Sequence, residues 1–216
     1  LRFIICGGAP LSAMYVKMFR QFGLEILNGY GITECSPVLA VNSNEDMCDG
    51  SVGPVLFGCE VMISDEDEIL AKGDNVMLGY YRNPEATAEA LQDGWFHTGD
   101  LGKIEDHYLF ITGRTKNLII TSSGENISPE ELEEKVLADP AVAEAIVYDV
   151  DDVLAVQIYP EKEAGAPAEY FQALLDRINK GEPVYRQLKK LVLRDEPFIR
   201  NSTGKIIRTQ IKDNQE

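Results

Sequence analysis

Apolar positions along this chain change their period several times, and each change predicts a different element. "RFIIC" at positions 2–6 is a short apolar run closed by Gly7-Gly8, the pattern of a buried strand. Leu11, Met14, Tyr15, Met18, Phe19 and Phe22 then recur at helical spacing, and Gly23 supplies a stop. "LEIL" at 24–27 predicts a second strand, ending at Asn28-Gly29. Strand, helix and strand in so short a stretch make a βαβ unit, whose two strands run parallel. The glycine loops "CGGAP" and "NGYGITE" should then both leave the carboxyl ends of parallel strands, where open α/β sheets place their ligands.

From about Asp46 to Gly113 the apolar runs shorten and turn residues multiply. "SVGPVLF", "CEVMIS", "EIL", "VML", "LGKIE" and "YLFITG" predict short strands. One helix interrupts them at "NPEATAEAL", with Asn83 as cap and Pro84 at the first helical position. After "GRTKN" the pattern predicts a strand at "LIITSS" and a helix at "SPEELEEKVLA", opened by a Ser128/Glu131 capping box. Strands at "EAIVYDV" and "VLAVQIYP", a helix near 168–179, a strand at "KKLVLRD" and the terminal "NSTGKIIRTQIK" follow. The fold class is therefore α/β and α+β. Residues 1–45 read as the end of an α/β domain, 46–115 as a small β-rich subdomain and 116–216 as an α+β domain, joined near Arg114–Asn117. The chain opens on Leu-Arg-Phe-Ile-Ile-Cys inside a strand, without Met, and is expected to be a piece of something longer.

Composition narrows the function. At 44% hydrophobic and 26% charged the chain is an ordinary globular one. A net charge of −16 and a pI of 4.5 argue against a nucleic-acid partner. No apolar run approaches a membrane span and no signal peptide opens the chain, so a cytoplasmic location is expected. The cysteines, Cys6, Cys35, Cys48 and Cys59, form no CxxC pair, and two histidines offer little to zinc; reduced thiols are the natural reading.

Four stretches carry candidate chemistry. In "NGYGITE", Tyr30 either lies flat against a base or packs in the core, while Thr33 offers a hydroxyl and Glu34 a hard oxygen suited to Mg²⁺. In "GWFHTGDLG", Asp100 follows Thr-Gly in a glycine turn, where a carboxylate either accepts both hydroxyls of a ribose or caps its own backbone. His97 is expected to hold that loop, Trp95 to sit in the core, and His107 to be an exposed turn residue. Arg114 and Lys116 stand at the join, the first able to reach ribose or phosphate and the second able to act as a hinge. The alternative for both is a solvated strand end. Gly124 precedes a helix start. "NSTGKIIR" at 201–208 sets Lys205 after a glycine, yet Ile199 and Ile206 occupy positions that a Walker loop fills otherwise.

Taken in order, "GGAP", "YGITE", "HTGD" with "GRTK", and "TGK" resemble the adenylate-forming superfamily, which contains acyl-CoA synthetases, firefly luciferase and peptide-synthetase adenylation domains. The resemblance covers essentially the whole chain, and "YGITECSPVLAVN" and "GRTKNLIITSSGENISPEELE" look most like bacterial long-chain fatty-acid–CoA ligases. It implies the C-terminal part of an enzyme: the end of a large α/β nucleotide-binding domain, a β-rich subdomain and a hinged C-terminal domain. Such an enzyme joins a fatty acid or other carboxylate to ATP, releases pyrophosphate, and then exchanges AMP for coenzyme A. By resemblance, Gly7, Gly8, Ala9 and Pro10 border adenine, Tyr30 stacks on it, Thr33 meets the α-phosphate and Glu34 coordinates Mg²⁺. Asp100 binds the ribose hydroxyls with help from Arg114, Lys116 is the hinge, and Gly124 lines the pantetheine passage. Lys205 bridges the carboxylate and the α-phosphate.

The chain departs from the family at Ile199, where a proline is usual, and at Asn117, where many relatives carry an acid. The family's Ser/Thr/Gly-rich phosphate loop has no counterpart in 1–216, so this stretch alone is expected to be inactive, with most of the acyl pocket upstream. An acyl carrier protein as acceptor and a non-catalytic nucleotide-binding module stand as alternatives. Unpaired edges of the first strands would let copies associate.

Overall fold

A computed structural model describes residues 1–8, 11, 13–202 and 204–208. The chain divides into two compact units, Leu1–Lys116 and Asn117–Glu216.

The first unit opens with β1 (Phe3–Cys6), α1 (Ala13–Gln21) and β2 (Glu25–Gly31). β1 and β2 are parallel, with Phe3 opposite Glu25 and Cys6 opposite Asn28, as the βαβ reading requires. β2 does not end at Asn28-Gly29, however. It runs on through Tyr30 to Gly31 and pairs antiparallel with β3 (Val38–Val41), a strand the apolar pattern did not single out. The glycines here serve close approach rather than a turn. A Cβ on Gly31 would lie 2.1 Å from the Pro37 carbonyl oxygen, because the returning backbone crosses directly over it. A 3₁₀ turn over Thr33–Cys35 follows.

The second sheet of this unit contains β4 (Cys59–Ile63), β5 (Glu68–Gly73), β6 (Leu91–Gln92), β7 (Trp95–Glu105) and β8 (Tyr108–Arg114), with α2 (Pro84–Ala90) leading into β6. Its order is β4-β5-β7-β6, with β8 also paired to β7, and every pairing is antiparallel. Asn83 caps α2 as expected, its side chain accepting the Ala86 N–H at 3.1 Å. "SVGPVLF" and "VML" form no strand; Pro54 and Val55 make isolated bridges only. "GWFHTGDLG" is not a glycine turn but the greater part of the 11-residue strand β7. Its pairing with β8 shifts between Leu101 and Gly102, where a Cβ on Gly102 would meet the Phe110 carbonyl oxygen at 2.5 Å. Strand alternation also corrects Trp95: Phe96 takes the core position, and Trp95 is left half-buried with the Lys72 ammonium 5.5 Å from its ring centroid. Two small cores result, Cys35, Leu39, Ala71 and Phe96 in one and Ala40, Ile69 and Leu109 in the other, and Tyr30 packs against both.

The second unit contains a short hairpin of β9 (Ile119–Ile120) and β10 (Asn126–Ile127), then α3 (Pro129–Leu137), β11 (Val142–Val150), β12 (Val153–Pro160), α4 (Ala168–Asn179) and β13 (Leu188–Leu193). The sheet order is β11-β12-β13, the first pair antiparallel and the second parallel. On one face Val147, Val156 and Ile158 pack with Leu132 and Val136 of α3 and Phe171, Leu174 and Leu175 of α4. On the other, Ile146, Tyr148 and Ala155 are covered by Phe198 and Ile206 from the segment after β13. The expected capping box is not formed. Ser128 makes no side-chain cap bond; its hydroxyl donates to Glu130 at 3.1 Å, while an ion pair with Arg186 at 2.6 Å holds Glu131.

Among the described residues no helix is long and apolar enough to cross a membrane, and no three His, Cys, Asp or Glu gather as a metal cluster. All four cysteines are free thiols.

Candidate functional site

In the first unit the two sheets meet at one carboxylate. Tyr30 on β2 donates its hydroxyl to Asp100 Oδ2 at 2.8 Å. Arg114 stands opposite Asp100 in the β7–β8 ladder and places its Nε 2.8 Å from Oδ1. Each carboxylate oxygen therefore has one protein partner and retains further acceptor capacity. Asp100 is buried, its side chain only 6% exposed, whereas Arg114 is 46% exposed. Burial, reinforced by the Asp100 charge, pushes the Tyr30 phenol well above its ordinary range and keeps it a neutral donor. Thr98 braces the strand: its hydroxyl donates to the Ile69 carbonyl at 2.7 Å and accepts the Asp100 N–H at 3.1 Å. His97 holds the segment as expected, its Nδ1 2.8 Å from Glu68 Oε2 while Glu68 Oε1 accepts the Gly99 N–H. A fixed carboxylate with spare lone pairs, flanked by a phenol and a guanidinium, is suited to accept two neighbouring hydroxyls.

Glu34 lies in the 3₁₀ turn just beyond Tyr30, with Thr33 exposed beside it. Its Oε1 accepts from the Tyr80 hydroxyl at 3.0 Å, and its carbonyl accepts the Met77 N–H at 2.7 Å. Partial burial and the Glu34 carboxylate raise the Tyr80 phenol. Tyr80 escaped the sequence reading, since nothing local distinguishes it from its exposed neighbour Tyr81. One carboxylate of this kind suits Mg²⁺, which keeps several waters and takes one or two carboxylates along with phosphate oxygens.

Gly7 and Gly8 follow β1 and are exposed; a Cβ on Gly7 would lie 3.4 Å from the Gly29 carbonyl oxygen, so this turn runs beside the Tyr30 strand. Gly8 has a φ of +81°, which favours glycine. Ala9 and Pro10 lie outside the described residues. His107 is an exposed turn residue as expected, 3.2 Å from Asp46.

Lys116 is exposed on the 3₁₀ turn Thr115–Asn117, where the two units divide. Gly124 turns the β9–β10 hairpin at φ +84°, its N–H donating to the Thr121 carbonyl at 2.9 Å. Lys205 sits in a second hairpin of the same unit. There the Asn201 N–H donates to the Lys205 carbonyl at 2.8 Å and the Ile207 N–H to the Ile199 carbonyl at 2.9 Å. Ile206 points inward against the sheet face and Lys205 is exposed. Two carboxylates that the sequence reading missed, Glu133 and Glu144, flank this hairpin through Arg208 and Arg200.

Residues 1–81 match the AMP-binding enzyme family. Long-chain-fatty-acid–CoA ligase FadD15 of Mycobacterium bovis is 44% identical over 147 residues, covering 68% of this chain and 24% of that protein. Long-chain-fatty-acid–CoA ligase FadD13 of Mycobacterium tuberculosis is 32% identical, covering 98% of this chain and 44% of that one. Among solved structures, o-succinylbenzoate CoA synthetase from Bacillus subtilis, in complex with an acyl-adenylate intermediate, matches with a TM-score of 0.86 at 31% identity, over 100% of this chain and 47% of that one. This chain thus spans less than half the length of the relatives it matches. Over residues 1–81 it matches AMP-binding enzymes, and over nearly its whole length it resembles the CoA ligases of the adenylate-forming superfamily, long-chain fatty-acid–CoA ligases among them.

Proposed function

We propose that this chain is the C-terminal part of a cytoplasmic, ATP-dependent acyl-CoA synthetase acting on a long-chain fatty acid. The observation that carries the reading is the shared carboxylate of Asp100, held by Tyr30 on one oxygen and Arg114 on the other, in a unit whose residues 1–81 match AMP-binding enzymes. In this reading Asp100 accepts both ribose hydroxyls, Arg114 offsets its charge, and the Tyr30 ring stacks on adenine, which Gly7, Gly8, Ala9 and Pro10 border. Thr33 donates to the α-phosphate. Glu34 would hold Mg²⁺ together with phosphate oxygens, and the ion would draw charge from the leaving pyrophosphate.

Two steps follow. An oxygen of the fatty-acid carboxylate bonds to the α-phosphorus as the bond to pyrophosphate breaks. The thiol of coenzyme A, having lost its proton, then bonds to the acyl carbon as AMP leaves. Lys205 serves the first step, offsetting the negative charge gathered when two anions meet; a preorganised donor of this kind is typically worth about 10²–10³ in rate. Lys116 is the hinge that lets the second unit withdraw Lys205 and bring Gly124 to the thiol passage, so that domain rearrangement separates the half-reactions. Residues 1–216 alone form no acyl-adenylate on this reading, because they carry no Ser/Thr/Gly-rich phosphate loop.

The test uses the full-length protein. Lys205→Ala should lower fatty-acid-dependent pyrophosphate release by about 10² or more while leaving thioester formation from supplied acyl-adenylate largely intact. Equal losses in both half-reactions refute the role. A panel of fatty acids assayed with coenzyme A tests the substrate class.

A further inference from the structure

The hairpin that carries Lys205 is fastened at both ends, and both fasteners are acids taken out of solvent. Before the lysine, Glu144 on β11 accepts the Phe198 N–H on Oε2 at 2.7 Å and Arg200 Nη2 on Oε1 at 2.5 Å. The same Arg200 turns its Nη1 onto the carbonyl of Gly204, the residue directly before Lys205, at 2.7 Å. After the lysine, Arg208 donates to Glu133 Oε2 at 2.5 Å. Glu133 sits on α3, and its other oxygen accepts the Val147 N–H of β11 at 2.7 Å. The two glutamate side chains are 11% and 8% exposed, so neither is a solvated surface partner. Inside the hairpin the Asn201 side chain accepts the Lys205 N–H at 2.9 Å.

Arginine is the residue such an arrangement needs. Its planar fork engages two acceptors in fixed directions, which a lysine ammonium does not. Arg200 joins a buried acid to a hairpin carbonyl, and Arg208 is anchored to a helix that is itself bonded to the central sheet. The backbone at 204–206 is thereby fixed relative to β11 and α3.

We infer that Glu133 and Glu144, acting through Arg208 and Arg200, are positioning residues for Lys205. This rests on the role given to Lys205 above. Neither glutamate touches substrate. They fix where the exposed ammonium points, so their loss costs the half-reaction that uses the ammonium and spares the one that does not.

The experiment compares Glu144→Gln, Glu133→Gln, Arg200→Lys and Arg208→Lys with Lys205→Ala in the full-length protein. Each is measured for pyrophosphate release, for thioester formation from supplied acyl-adenylate, and for thermal midpoint. A displacement of about 1 Å from productive geometry can cost about 10² in rate. Each Glu→Gln variant is therefore expected to lose about tenfold or more in pyrophosphate release, with thioester formation within about twofold of the parent. The Arg→Lys variants keep the charge without the fork and should fall between, and they carry the test if a Gln variant does not fold. Normal pyrophosphate release in the variants, beside a defective Lys205→Ala, overturns the positioning role and leaves the proposed function standing. Parallel losses in both half-reactions with a lowered thermal midpoint mean that the glutamates only hold the fold, and also overturn it. A fully active Lys205→Ala removes the role given to Lys205, and this inference with it, while the synthetase reading stands.

Discussion

Asp100→Asn separates what the shared carboxylate does for the fold from what it does for a ligand. The change keeps the shape of the side chain and replaces one acceptor oxygen with an amide donor. Arg114 Nε, 2.8 Å from Oδ1, can keep the remaining oxygen; the Tyr30 hydroxyl, 2.8 Å from Oδ2, must then rotate and accept from the new amide. Because the Arg114 side chain is 46% exposed, losing its counter-charge is largely screened and costs about 0–1 kcal/mol. Exchanging a charged for a neutral hydrogen bond at Tyr30 costs about 1 kcal/mol more. The stability loss is therefore about 1–2 kcal/mol.

For a bound ribose the change is larger. A hydrogen bond to a charged acceptor contributes about 1.5–3 kcal/mol. The asparagine loses one such bond outright and weakens the second, a loss of about 2–4 kcal/mol, or about 30- to 700-fold in affinity. Titration calorimetry of AMP and ATP–Mg²⁺ on the full-length protein, paired with thermal melts, measures both numbers. Nucleotide affinity within about threefold of the parent, beside a lowered thermal midpoint, would show that Asp100 only locks two sheets together.

Other outcomes follow from the same geometry. Gly31→Ala should cost about 2–4 kcal/mol in denaturant melts, because the added methyl collides with the Pro37 carbonyl at 2.1 Å; an unchanged midpoint contradicts the crossing described here. Cys35 is fully buried, and burial pushes its thiol up to about 11, so it should resist maleimide at neutral pH until the protein is unfolded; prompt labelling of the native state counts against this. Burial holds the Glu133 carboxyl above its ordinary range, although Arg208 and the Val147 amide pull it down; Glu130 adds to the rise. Relative to the unfolded chain, the folded unit therefore favours the protonated form. Glu133's favourable contribution is present below the unfolded value near pH 4 and is lost as pH rises through the raised folded value. The thermal midpoint of Glu133→Gln, relative to the parent, should accordingly climb over a window that opens near pH 4 and extends upward. A constant difference across that window removes the argument.

Elements whose signal is local were legible in the sequence. The helix near 168–179 is found at Ala168–Asn179, and the parallel βαβ unit is where apolar period and glycine stops put it. Glycine misled at the end of β2. Gly31 read as part of a loop because glycine permits turns, yet here it admits a crossing backbone, a long-range fact that no local window contains. The same limit hides the Asp100–Arg114 pairing, which depends on a shifted register between two strands. Glu133 is different, because its signal was present. Pro129, Leu132, Glu133 and Val136 form one buried stripe along α3 at helical spacing, and an acid in such a stripe requires a buried partner. Its acidic neighbours in "EELEEK" mask that signal.

The segment that carries Lys205 also roofs one side of a sheet. Phe198 and Ile206 shield Ile146, Tyr148 and Ala155 from water, and Arg194 stacks 4.5 Å from the Phe198 ring centroid. Peeling the lysine away by itself would wet that apolar surface, at roughly 25 cal/mol for every Å² uncovered. Lys205 is therefore tied to the sheet whose oily underside its own hairpin keeps dry.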